Sequence, residues 1–374
     1  MLRGPLTPPR RLLLTLDAVG GVWRYALDVA AALDAQAIAC LLVGFGPKPS
    51  SEQREACAQL SHAELVWTDA PLDWMATEEA ALAPVTTALT RLAREWNADL
   101  LHLNLPSQAV GLPADLTTVV ASHSCVPTWW QAVRGHDLPP EWRWQRQRNK
   151  TGFDRAEAVL APSASHAAAL RRVYGPLPGL QVVHNATRVS AAAATEKEDI
   201  VLSVGRWWDE GKNGGVLDAA AAASPWPVLM AGPLQGPHGE LARFATASTT
   251  SSLPADDVLS LMRRAALFAA PSLYEPFGLA VLEAALCGCA LVLADIPTFR
   301  ELWQDAAIFV PPDDPVAWAE ALAALAADPA RRQRLASLAQ SSAARFTPQR
   351  QLRSLLSIYT AAASRCAADT KAVA

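Results

Sequence analysis

The sequence predicts two doubly wound α/β domains, each a parallel sheet covered by helices. Three observations point there. The chain has 374 residues, and hydrophobic cores stop growing near about 250–300 residues, so two domains are expected. Short apolar runs alternate with longer stretches of helical spacing, the rhythm of βα units on a parallel sheet. That rhythm breaks at a small-residue, charged stretch, SAAAATEKED at 190–199, and then starts again.

The elements follow in order. Arg11–Leu16 is an apolar run that reads as a buried first strand, and Gly20-Gly21 turns it into WRYALDVAAALDA, which has helical spacing. Ile38–Val43 is the next strand. The loop GFGPKPS after it holds Gly44 and Gly46, but Pro47 and Pro49 follow, which favours a plain loop over a phosphate-binding turn into a helix. Leu65–Trp67, Leu100–Leu103, Thr118–Ser122 and Val182–Val183 are further short strands. Past the linker come Ile200–Val204, Val228–Ala231, Leu267–Ala270, Ala290–Ala294 and Ile308–Val310, again with helices between. The division expected is an N-terminal domain over 1–185 and a C-terminal domain over 186–348, with a helical pattern over 349–374. In such sheets ligands bind beyond the carboxyl ends of the strands, so a ligand cleft is expected there.

Composition removes several function classes. At 51% hydrophobic and 18% charged the chain is neither disordered nor fibrous. Lys plus Arg is 32 against 36 Asp plus Glu, a formal charge of 32 − 36 = −4, so no general basic field for nucleic acid exists. Cys40, Cys57, Cys125, Cys287, Cys289 and Cys366 have no C-x-x-C spacing, which argues against a zinc site or disulfide framework and for buried reduced thiols. No uncharged apolar run reaches about 18 residues, so no spanning helix is expected. The opening MLRGPLTPPRRLLLTLDAVGG has a short apolar stretch that runs into Asp17 and a glycine pair. It reads as a strand rather than a secretory leader, and a cytoplasmic location is expected. Of the 13 Trp, four lie in the basic segment Trp129–Lys150. That segment is a candidate for an anionic acceptor or peripheral contact with a membrane surface, although a solvated helix face over packed indoles is the plainer reading.

The residues that carry chemistry lie mainly in the second half. FAAPSLYEPFGLAVLEAALCGCALVLAD, residues 268–295, reads as strand, turn, helix, strand. Pro276 suits a first helical position, and Gly278 lets a ligand approach backbone amides at a helix start, where the dipole favours an anion. Glu275 and Glu283 are eight apart. They face different parts of a ligand, and as acceptor-only groups both suit sugar or ribose hydroxyls. The blander assignment makes Glu275 a helix cap and Glu283 a surface residue. Arg206 and Lys212 follow the strand Ile200–Val204 and precede a helix, where two fixed cations would neutralise a departing diphosphate; the blander assignment makes either a surface salt-bridge partner of Asp209 or Glu210. No D-x-D occurs anywhere in the sequence, so a metal for that task is not expected. His123, at the end of TTVVASHS, is weighed about equally as a cleft residue and a core histidine. His102 is a weaker candidate, and Asn185 reads as structural.

E-P-F-G-L-A-V-L-E, residues 275–283, followed by A-x-x-x-G and a strand, resembles the E-x7-E signature of retaining GT-B glycosyltransferases, family four in particular. SVGRWWDEGKN, PTFRELWQDAAIFVPPDDP and LDAVGGVWRYALDVAAAL are similar to further segments of that family, so the resemblance spans nearly the whole chain. One departure is that Arg206 and Lys212 are six apart, where five is the commonest form.

The resemblance implies two Rossmann-like domains facing a central cleft, with the C-terminal helix crossing back onto the first. It implies that Arg206 and Lys212 hold the donor diphosphate, Glu275 the sugar hydroxyls and Glu283 the ribose. Phe277, Gly278 and Leu279 would line the donor, Gly20 and Gly21 would close over it, and His123 would face the sugar. The implied activity is metal-independent, retaining transfer of a sugar from a UDP- or GDP-sugar to a saccharide, lipid-linked or small-molecule hydroxyl, as in polysaccharide biosynthesis. A GT-B epimerase or sugar phosphorylase, or a non-catalytic nucleotide-sugar-binding protein, stays open as an alternative. A dinucleotide oxidoreductase is argued against by the lack of G-x-G-x-x-G.

Overall fold

The structure is a computed structural model that describes residues 8–193 and 196–373, with side chains through Cys366. Outside them lie the first seven residues, which begin the segment weighed as a leader, and Ala194–Thr195 of the linker. The described chain divides into two compact units, residues up to Ala186 together with those from Thr347, and Thr187–Phe346.

The first unit carries β1 (Arg11–Asp17), β2 (Ala39–Phe45), β3 (Ala63–Trp67), β4 (Leu100–Leu103), β5 (Thr118–Ala121), β6 (Ala158–Ala161) and β7 (Leu180–Val182). They form one sheet in the order β3-β2-β1-β4-β5-β6-β7, with every pairing parallel. Its helices are α1 (Gly21–Asp34), α2 (Ser51–Ala58), α3 (Ala83–Glu95), α4 (Val126–Arg134), α5 (Arg143–Arg155) and α6 (Ala164–Tyr174). Successive strand residues point to opposite faces, and both faces are covered, so the strands read as unbroken apolar runs. Thus Leu13 joins the core under Leu89, Phe153 and Leu170, while Leu12 and Leu14 join the one under α1.

The second unit carries β8 (Glu198–Val204), β9 (Val228–Ala231), β10 (Ser248–Thr249), β11 (Ala265–Ala270), β12 (Ala290–Ala294) and β13 (Ala307–Val310). They are again parallel, in the order β10-β9-β8-β11-β12-β13. Around them lie α7 (Gly214–Ala221), α8 (Ala255–Arg264), α9 (Leu279–Leu286), α10 (Pro297–Trp303), α11 (Pro315–Ala327) and α12 (Pro329–Ala343). Asp-Pro pairs start the last two. The Asp314 carboxylate accepts from the amides of Val316 and Ala317, and Asp328 accepts from Arg331, with a proline at each first helical position. A final helix, α13 (Pro348–Val373), belongs to the first unit. Its Leu352, Leu355, Ile358, Tyr359 and Ala362 recur at helical spacing and enter the core beside α1.

Two strands were not anticipated, β6 and β10. Gly44, expected in a loop, is instead a residue of β2 paired with Leu16 and Trp67, so the loop begins only at Gly46; α2 follows it, started by a reciprocal cap between Ser50 and Gln53.

Candidate active site

In a doubly wound sheet, the loops flanking the reversal of strand order diverge and leave a crevice at the carboxyl ends of the strands. In the second unit that reversal lies between β8 and β11. The loop after β8 is fastened to β9: the Gly205 amide and the buried Trp207 indole both donate to the Ala231 carbonyl, each at 3.1 Å. A Cβ on Gly232, whose φ is +127°, would fall 2.1 Å from the Gly205 carbonyl oxygen, so this approach of two strand ends requires glycine.

Arg206 projects from this anchored loop. Its Nη2 lies 3.4 Å from Asp209, and its guanidinium lies 5.5 Å from the centre of the Trp208 ring. Its Nε–H is buried and has no partner among the described residues. Asp209 also accepts from the Gly211 amide at 2.9 Å and so opens the short turn Glu210–Lys212. Lys212 donates from Nζ to Glu275 at 2.5 Å. The two loops are also joined through the backbone, because the Leu273 amide donates to the Gly211 carbonyl at 2.9 Å. Asn213 adds bonds from Nδ2 to the carbonyls of Pro271 and Pro312. The six-residue spacing is therefore accommodated, with Trp207 turned into the core and Lys212 meeting Glu275.

The helix after β11 starts at Leu279 and not at Pro276. Gly278 takes a φ of +89°, a left-handed turn that ends the loop and leaves Pro276 inside it. A Cβ there would stand 3.1 Å from Phe299 and 3.3 Å from Glu275. The opening amides of α9 receive no side-chain cap. The Phe277 ring is buried edge-on against Phe346, so this residue offers a ligand its backbone and not its side chain. Glu283 is only 8% exposed and accepts from the Thr187 hydroxyl at 3.3 Å, which removes the reading of an ordinary surface residue.

In the first unit the order reverses between β1 and β4. The strand end Asp17 accepts from the Val19 amide at 2.9 Å, and the chain passes through extended Gly20 into α1 at the exposed Gly21. Beyond β5, the half-buried His123 donates from Nε2 to Asn104 Oδ1 at 2.9 Å and packs its ring 4.1 Å from that of Tyr25. Burial, with His102 and His166 nearby, lowers the His123 pKa to about 3, so the ring is neutral at ordinary pH. His102 is wholly buried between the hydroxyls of Tyr359, 2.5 Å from Nδ1, and Tyr25, 3.4 Å from Nε2. Burial lowers its pKa to about 3 as well, and it serves as a core histidine that fastens α13. Asn185 is buried.

Arg206, Lys212, Glu275 and Gly278 thus gather at one crevice, and Glu283 stands further along α9. Tyr25 and Asn104, which touch His123, went unnoticed in the sequence. Tyr25 carries only the signal of an inward helix position, and Asn104 only that of a strand end.

In the Trp129–Lys150 segment, Trp144 packs on the core and Arg148 pairs with Glu79 at 3.2 Å. Trp130 stacks near Arg134 at 5.6 Å. Among the described residues no helix is long and apolar enough to cross a membrane.

The family model described as Glycosyltransferase Family 4 matches residues 19–190, and that described as Glycosyl transferases group 1 matches residues 188–342. The chain belongs to glycosyltransferase family four. One family relative, a D-inositol 3-phosphate glycosyltransferase of Salinispora tropica, is 41% identical over 106 residues, 28% of this chain and 22% of that protein. For this relative the matched stretch therefore spans about a fifth of its length. Another of that description, from Salinispora arenicola, is 27% identical over 327 residues, covering 82% of this chain and 70% of its own.

Solved structures show the same fold. Sucrose-phosphate synthase from Thermosynechococcus elongatus superposes with a TM-score of 0.76 at 18% identity, over 94% of this chain and 98% of that one. HepE of Anabaena, in complex with UDP and glucose, gives 0.73 at 18% identity, over 92% and 98%. The fold is GT-B, two Rossmann-like α/β domains.

Proposed function

We propose that the protein is a retaining glycosyltransferase that moves a sugar from a UDP- or GDP-sugar to the hydroxyl of a saccharide, lipid-linked or small-molecule acceptor. The observation that carries this is the pairing of Lys212 with Glu275, beside an Arg206 whose buried Nε–H has no partner among the described residues, at the strand-order reversal of the second unit. A buried unpaired donor costs about 1–3 kcal/mol, and an anionic ligand would remove that cost. The complex of HepE with UDP and glucose supports a uridine nucleotide as the first donor to try.

In this reading the donor diphosphate takes up Arg206 and Lys212. Sharing Lys212 with the diphosphate frees Glu275 to accept from sugar hydroxyls, and Glu283 accepts from the ribose. As the bond from the anomeric carbon to the leaving oxygen breaks, charge builds on the diphosphate, and the two cations and the amides around Gly278 to Leu279 stabilise it. The departing phosphate oxygen takes the proton of the acceptor hydroxyl, whose oxygen bonds to the same face of the anomeric carbon. Gly20 and Gly21 shape the approach, and His123 meets the transferred sugar. Since the sequence has no D-x-D, the side-chain cations do this work in place of a metal.

A panel of UDP- and GDP-sugars tests the reading. Release of the nucleoside diphosphate is expected, with the product anomer matching the donor and turnover surviving chelator. Binding without release would leave a nucleotide-sugar-binding protein, inversion would remove the same-face route, and strict metal dependence would remove the role given to the cations.

A further inference from the structure

Asn104 holds His123 from beneath through a chain of buried groups whose donors and acceptors can be assigned one by one. Thr15, Asn104 and Gln108 are 0%, 2% and 4% exposed. The Thr15 hydroxyl donates to Gln108 Oε1 at 2.7 Å and accepts from the Asn104 amide at 2.8 Å. Asn104 Nδ2 donates to the Thr15 carbonyl. A carbonyl can only accept, so turning the Asn104 amide over would set two oxygens against each other. Oδ1 therefore faces His123, and an oxygen at 2.9 Å from Nε2 requires a proton on Nε2. The ring is also braced by Tyr25, whose hydroxyl contacts His102. The other ring nitrogen, Nδ1, has no partner among the described residues, and the ring is part-exposed at the end of β5.

We propose that Asn104 is a positioning residue that locks His123 in its neutral, Nε2-protonated tautomer, so that Nδ1 is presented as an acceptor for a hydroxyl of the saccharide substrate. The identity of that hydroxyl rests on the glycosyl-transfer reading; the tautomer does not. The titratable groups facing His123 are Tyr25 from α1, His102 from β4 and His166 from α6, with no carboxylate among them.

The test is long-range ¹H–¹⁵N correlation on the full chain labelled with ¹⁵N-histidine, with His123→Gln to assign the signals. At pH 7 the wild type should show His123 protonated at Nε2 and bare at Nδ1. Asn104→Leu removes the acceptor and should populate the Nδ1-protonated form, while transfer falls about tenfold, the worth of one hydrogen bond. A wild-type ring protonated at Nδ1, or a His123 signal unmoved in Asn104→Leu, overturns the inference. Because the spectra need no turnover, predicted spectra without transfer would overturn the functional reading alone.

Discussion

Arg206 and Lys212 are separated by a single turn whose pivot is Asp209, so each cation can be removed without disturbing a core residue. Arg206→Ala and Lys212→Ala are each expected to cut transfer by about 100-fold or more, with melting temperatures within a few degrees of the wild type. Near-normal turnover in either would remove it from the diphosphate role. The buried histidines set a different expectation. His102 and His123 titrate at about 3 and His166 at about 4 in the folded chain, against 6.5 unfolded. Below 6.5 the unfolded chain binds protons that the folded one refuses, so stability is full above that pH and is lost as pH falls toward 3–4. Melting temperature followed from pH 7.5 to 4.5 should fall most steeply below 6.5, and His102→Gln should flatten the slope. Asp34, Asp115, Asp218 and Asp295, whose folded pKa values are lowered, lose their contribution only at lower pH. Single residues were legible in the sequence where their type is unusual for their place, such as a Lys and an Arg following an apolar strand. Asn104 was not, because its partner Thr15 lies 89 residues away and an amide at a strand end carries no signal of its own.

At the scale of elements, the turn from β11 into α9 depends on one glycine. Gly278→Ala must hold a left-handed φ and press on Phe299 and on Glu275, the partner of Lys212. A loss of about 1–2 kcal/mol is expected in chemical denaturation, with a larger proportional loss of transfer than of stability. Pro276 misled the sequence reading of this turn, since proline suits both a first helical position and a loop, and only the backbone angle of Gly278 decides between them. The strands were readable where leucine and valine run together, as in β1 and β12. β6 is four residues of alanine, valine and leucine, whose alternate side chains enter the cores on the two faces of the sheet, so it shows no apolar–polar pattern of its own. β10 is two residues, Ser248 and Thr249, with no apolar signal. Its loop is fixed by the Asp218 carboxylate, which accepts from the amides of Ala245, Thr246 and Ala247.

For the whole molecule, the two units differ in how the chain completes them. The second is continuous from Thr187 to Phe346 and has its own core, so that fragment should fold and melt cooperatively alone. The first needs α13: ending the chain at residue 346 removes Leu355, Tyr359 and Ala362, each fully buried, and leaves His102 without its closest partner. Such a truncation should lose the melting transition of the first unit in calorimetry while keeping that of the second. Survival of both transitions would show that α13 is dispensable. The same arrangement bears on synthesis of the chain. Translation runs at about 5–20 residues per second, so the apolar faces of β1 and α1 wait roughly 15–65 s for their last covering element, while the later unit can already be finished. Until then the nascent first unit exposes an apolar face of the kind that aggregates or that chaperones cover, and a chain that terminates early keeps that face open.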